Sequence, residues 1–182
     1  MYSYKRKTSF SDNLPFLGKL LGKLLLTALF SYILAYMLGK FFIFPHRFTD
    51  SSMAPSYKPG DMILLSPLVR EASLNYEKLV FSQISGSNSS IFIGRILGKP
   101  GDKIKIQSKK VYRDGQILVS KTAKNNDSRI FDSSFSNRDQ MNEITLGQDE
   151  FFILCDNRDE CMDSREYGAI SLKNIVAIKI FK

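Results

Sequence analysis

Sixteen consecutive residues without a charge, Leu24 to Gly39, constrain this chain more than any other feature. Lys40 follows, then Phe41-Phe42-Ile43-Phe44 and Pro45, so 24–44 is a 21-residue stretch with one lysine. At 1.5 Å per helical residue it reaches about 31 Å, the thickness of a bilayer core. Lys40 lies near its end, where a long side chain snorkels to the headgroups. Tyr32, Tyr36 and the phenylalanines suit an interface. A cleaved leader would be followed by small residues, and these are bulky. A buried core helix would carry a polar stripe, and none is visible. The segment therefore reads as an uncleaved transmembrane anchor helix over 24–44.

Charge fixes the expected orientation. The 182 residues carry a net +8, and residues 1–23, with Lys5, Arg6, Lys7, Lys19 and Lys23 against Asp12, hold +4 of it. The positive-inside rule then places a basic N-terminus (1–23) in the cytoplasm and residues 45–182 outside the membrane. The stretch 41–182 is only +3 and has no basic-aromatic stripe, so no nucleic-acid partner is expected. Two cysteines and one histidine exclude the usual structural zinc site and a disulfide-dense scaffold. No metal and no cofactor is expected. A Ser-His-Asp triad would have to use His46, beside the anchor.

Beyond the anchor the pattern is mostly β. Short apolar runs occur at 62–66, 78–81, 91–97, 151–154 and 174–181. Lys103 to Gln107 alternates with period two, and Lys110 to Val119 reads as a hairpin turning at Asp114-Gly115. Turn signals separate them at Lys58-Pro-Gly-Asp61, Gly86 to Ser90, Lys99-Pro-Gly-Asp102 and Asp156-Asn-Arg158. Many short strands so punctuated predict a β-barrel or sandwich. The polar stretch 123–143 predicts an exposed excursion.

Three clusters carry the chemistry. The first, Ser51 to Asp61, sits just past the anchor; taken alone, its serines are turn chemistry. The second, Gly94 to Asp102, is a strand entering a Pro-Gly turn. The third, Cys155 to Gly168, packs five acids, two arginines and an asparagine directly after an apolar strand. Such density suits either a solvated loop or a hydrogen-bonded wall of a site.

Together these clusters resemble the bacterial type I signal peptidases, membrane-anchored serine proteases that remove signal peptides from exported proteins. Ser52-Met-Ala-Pro-Ser-Tyr-Lys-Pro-Gly-Asp61 follows the family's first motif, Gly94 to Asp102 its second and Cys155 to Arg165 its third. The resemblance covers 24–182 and implies a signal-peptidase-like β domain behind one helix, in a bacterial cytoplasmic membrane. It implies a serine nucleophile at Ser52, Met53 lining an apolar substrate pocket, and charges at Arg95, Asp156, Asp163 and Arg165 pairing across the back of the site, with Ser164 supporting them. It also locates three departures. In the family a lysine, neutral through burial, takes the serine's proton; its position here is Gly94. A serine whose hydroxyl helps hold the oxyanion is Asp50, whose carboxylate would repel one. The serine that orients the lysine is Cys161.

Substitute bases are few. Lys99 lies five residues along a strand from Gly94, roughly 16 Å, and Lys58 is six residues from Ser52. His46 is expected in the membrane interface, and Asp50 would need burial to act. Cys155 and Cys161, six apart in one loop outside the membrane, are either free thiols, the favoured reading, or a disulfide, and no histidine is placed to make either a nucleophile. Two functions stand open. One is a serine endopeptidase that cuts signal peptides from exported preproteins. The other is a catalytically impaired homologue that binds signal peptides or partners an active paralogue. A third, weaker reading is a purely structural membrane-anchored contact surface.

Overall fold

A computed structural model describes residues 14–84 and 90–180. The basic cluster Lys5 to Lys7, Asp12 and most of the expected turn at Gly86 to Ser90 lie outside them. The chain divides into two units, Met1–Phe41 and Phe42–Lys182. The first holds one helix, α1 (Leu14–Phe42). Its segment Gly18–Gly39 is long and apolar enough to cross a membrane, and protein buries none of it. The helix is longer than expected at its start, taking in Lys19 and Lys23, and stops two residues sooner. Pro45 explains the stop, because the residue before a proline is pushed out of the helical region.

The second unit is mostly β. In chain order its elements are β1 (Phe44–Arg47), β2 (Met62–Ser66), β3 (Leu79–Ile84), β4 (Ser90–Gly98), β5 (Lys103–Gln107), β6 (Lys110–Arg113) and β7 (Gln116–Ile117). There follow β8 (Met141–Thr145), β9 (Glu150–Leu154), the short helix α2 (Ser164–Tyr167), β10 (Ile170–Ser171) and β11 (Ile175–Lys179). They form a seven-stranded sheet in the order β1-β2-β11-β3-β4-β9-β10 and a four-stranded sheet in the order β7-β6-β5-β8. The strand pairings are antiparallel. Pro45 sits in β1, at the sheet edge, where a missing N–H costs no ladder bond.

Each sheet face is fixed by side-chain period. Ile104 and Ile106 of β5 point inward while its lysines point out. Central β9 is different: Phe151 and Ile153 enter the main core with Met53, Leu65 and Phe81, whereas Phe152 and Leu154 enter a second core with Leu97, Ile104 and Val111. An uninterrupted apolar run is what a strand buried on both faces requires.

Two turns repeat one design. In Lys58-Pro-Gly-Asp61 and Lys99-Pro-Gly-Asp102 the aspartate N–H returns to the lysine carbonyl at 3.0 Å. In both, the aspartate carboxylate accepts the lysine N–H at 2.8 Å. Gly60 (φ 101°) and Gly101 (φ 89°) take the backbone angle that only glycine adopts freely. Asp114 and Gly115 are both at positive φ, as a two-residue hairpin turn demands.

The excursion at 123–143 is shorter than expected. Met141 is buried and opens β8, which pairs with β5. Just before it, Asp139 is buried beneath an ion pair with Arg138 at 3.0 Å and accepts the Phe131 N–H at 2.9 Å. The polar composition of this segment serves a tethered network.

Candidate active site

The loop between β1 and β2 is closed at its base by Phe48 N–H donating to Asp61 O (2.9 Å) and Gly60 N–H to Phe48 O (2.8 Å). It carries Asp50, Ser51, Ser52 and Met53. The Asp50 carboxylate accepts the Ser52 N–H at 2.9 Å. A second loop, between β9 and α2, holds the first from the other side. Asn157 N–H donates to Ser52 O (2.9 Å), Asn157 Nδ2 to Ser51 O (3.2 Å), and the Ser51 hydroxyl to Glu160.

Ser52 is half-buried and opens into a cleft of about 600 Å³. Phe44, Phe48, Phe81, Phe92 and Ile93 give it apolar walls; Asp50, His46 and Cys161 also line it. Such a groove suits an extended apolar chain. Met53 is not among its lining residues: it is fully buried in the main core and supports the loop from beneath. His46 is in the cleft, edge-on to Phe81 with ring centroids 4.5 Å apart and to Phe48 at 5.5 Å. Burial lowers its pKa, and the Asp50 carboxylate opposes that shift.

Gly94 is buried in β4, opposite Val80. A Cβ added there would come within 2.7 Å of Ile153 Cγ2 and 2.9 Å of the Leu154 carbonyl oxygen. The β9 backbone thus occupies the space a side chain would need. Among the described residues no lysine lines the cleft. Lys99 lies near the Tyr76 ring, 5.3 Å from its centroid.

The charged positions form two separate pairs. Arg95 grips Asp156 bidentately, Nε to Oδ1 at 2.9 Å and a terminal nitrogen to Oδ2 at 3.0 Å, and Thr122 adds a hydroxyl at 2.9 Å. Arg165 grips Asp163 at 2.9 and 3.0 Å, and Asp163 accepts the Cys155 N–H at 3.1 Å. The Ser164 hydroxyl accepts the Ile153 N–H at 2.9 Å, fixing the end of β9.

Cys155 and Cys161 are joined in a disulfide, against the expectation of free thiols. Their Cα atoms are 6.2 Å apart, inside the range a disulfide spans. Spacing alone did not reveal this, because the approach depends on how the loop curls. The roles of Asn157 and Glu160 in clamping the serine loop carried no sequence signal beyond the density of polar residues around them.

The family model described as signal peptidase, peptidase S26, matches residues 21–182. The chain belongs to this family. Curated signal peptidases among its relatives include some named as inactive and others named without that word. The protein named inactive signal peptidase IA of Staphylococcus aureus (strain COL) is 24% identical over 161 residues, covering 85% of this chain and 86% of that protein. Signal peptidase IB of the same strain is 22% identical over 160 residues (84% and 83%), and signal peptidase I of Bacillus amyloliquefaciens 23% over 150 residues (82% and 80%). A solved signal peptidase I from Enterococcus faecalis V583 aligns with 58% of this chain and 96% of that chain, at 19% identity and a TM-score of 0.44. At the site itself, the backbone N–H of Ser52 is taken up by a carboxylate.

Proposed function

We propose that this chain is a catalytically impaired signal peptidase that holds signal peptides in the Ser52 cleft without cleaving them. The observation that carries this reading is Gly94. It supplies no base, and the β9 backbone fills the place where one would stand. A missing general base costs about 10²–10⁴-fold and a missing oxyanion donor about 10²–10³-fold. The apolar cleft supports retained peptide binding, and the name of the inactive Staphylococcus relative is consistent with lost chemistry. On this reading α1 anchors the β domain at the outer face of a bacterial cytoplasmic membrane, near the preproteins it holds. An active paralogue would then do the cutting.

A second reading, a working serine endopeptidase, is favoured by one observation: His46, Asp50 and Ser52 line the same cleft. His46, held towards its neutral form, is the side chain there best suited to accept a proton.

The deciding experiment uses the full chain in detergent and a preprotein with alanines at −1 and −3. Cleavage and anisotropy of a labelled signal peptide are measured for wild type, Ser52→Ala and His46→Gln. The impaired reading expects no cleavage and equal binding by wild type and Ser52→Ala. Cleavage by wild type that Ser52→Ala abolishes overturns it; loss in His46→Gln as well establishes the second reading. No peptide binding by any form leaves the structural role as the surviving one.

A further inference from the structure

A second cleft, of about 250 Å³, lies between the β6–β7 hairpin and the 120–125 segment. Its lining is mixed, with an apolar side formed by Leu97, Val111, Leu118 and Val119 among others. Arg158 also lines it, from the loop that follows β9. This arginine is 6% exposed. Its backbone is fixed: its N–H donates to Lys124 O at 2.9 Å and its carbonyl accepts from Arg165 at 2.7 Å. Among the described residues its guanidinium forms no ion pair, and its Nε is buried with no hydrogen-bond partner.

A buried guanidinium nitrogen without a partner is costly, and proteins rarely tolerate one unless something answers it. Two of the carboxylates that attract it are already committed, and Glu77, the third, forms no ion pair with it. Asp156 is held bidentately by Arg95 and bonded by Thr122, and Asp163 by Arg165 and two backbone N–H groups. Both attract Arg158 from a distance, but burial still pulls its guanidinium down to about 10. Among the described residues no carboxylate lines the cleft, whereas Lys110 and Asn125 do; Lys109 and Ser120 line it too, but the Lys109 ammonium is held by Asp127 O and Asp139, and the Ser120 hydroxyl by Thr122. The cleft therefore offers donors and positive charge to whatever enters, and no acceptor of matching charge.

We propose that this second cleft is an oxyanion-binding site in which Arg158 takes a carboxylate or phosphate group. The planar fork of arginine matches either group bidentately. The apolar side favours an oxyanion carried on a short apolar stem over a free ion. The site is separate from the Ser52 cleft, so it stands whatever becomes of the peptidase reading.

The test titrates the full chain, in a non-ionic detergent, by calorimetry. The probes are N-acetyl-leucine, its uncharged amide, and inorganic phosphate. N-acetyl-leucine is expected to bind about tenfold or more tighter than the amide, since charged hydrogen bonds are lost in the latter. Phosphate binding alone would assign the site to a free oxyanion within the same chemistry. Arg158→Met is expected to weaken either anion at least about tenfold. Should that variant fail to fold, Val119→Glu, which adds a carboxylate at the 84% exposed rim, is expected to do the same. Wild type that binds neither anion overturns the proposal. So does binding that both variants leave unchanged.

Discussion

At the scale of single residues, the molecule separates what maintains the fold from what would perform chemistry. Arg95 and Asp156 illustrate the first. Asp156 has a side chain 2% exposed, and its charge is answered chiefly by Arg95. Arg95→Met would strand that carboxylate, so a loss of about 3–5 kcal/mol is expected in denaturant titrations. Replacing both partners with apolar residues should cost clearly less than Arg95→Met alone. Gly94 illustrates the second. Restoring lysine looks from sequence like a repair, but its Cβ would meet the Leu154 carbonyl at 2.9 Å. Gly94→Ala is expected to destabilise by about 1–3 kcal/mol through overpacking, with Gly94→Lys at least as harmful and no cleavage gained. Thermal unfolding beside a preprotein assay checks both; a Gly94→Lys variant that folds normally and cuts would show that β9 yields.

At the scale of elements, the serine loop and the 155–161 loop act as one clamp, and the disulfide closes the second of them. Cross-linking residues six apart is worth about 2 kcal/mol by chain entropy. Cys161→Ser should lower the melting temperature accordingly and speed hydrogen exchange at the Asn157 N–H, which donates to Ser52 O. His46 on β1 gives this region a pH dependence. An imidazole titrates near 6.5 when unfolded, and burial lowers the folded value while Asp50 partly opposes. Below neutrality the unfolded chain therefore binds more protons than the folded one. The stability His46 contributes is present above about pH 6.5 and is lost as pH falls through its folded value. His46→Phe should flatten the fall in melting temperature between about pH 7 and pH 5; an unchanged slope would place the titrating group elsewhere. The strands were legible where period two or a turn residue spoke locally: β5, the Asp114-Gly115 hairpin, both Pro-Gly turns. The site was legible only as a set of positions. Gly94 read as a missing base, but not as a place packed shut. His46 read as a residue beside the anchor and not as part of the cleft, because its partner Phe81 lies far along the chain. β8 was hidden because its polar neighbours 123–139 answer one another through buried Asp139, a tertiary fact.

At the scale of the whole molecule, the two units differ in what each requires of its surroundings. Both hydrophobic cores are built from residues at or beyond Phe44. The β unit therefore contains its own driving force for folding. Helix α1 presents exposed Leu24, Leu25, Leu26, Phe30 and Tyr32, and such a surface has no stable place in water. Its Gly18–Gly39 segment is long enough to cross a bilayer, and the charges expected to hold its N-terminus inside lie ahead of it and in its first turns, at Lys19 and Lys23. The two units should accordingly come apart by simple truncation. Residues 43–182 alone are expected to be soluble, with a melting temperature within about 4 °C of the full chain in detergent, since a change of one kcal/mol moves a domain of this size by roughly that much. The full chain should stay with membranes through an alkaline carbonate wash, and external protease on spheroplasts should remove the β unit while sparing the N-terminal fragment. Protection of the β unit would reverse the orientation and with it any access to exported preproteins, even if both clefts bound their ligands in vitro.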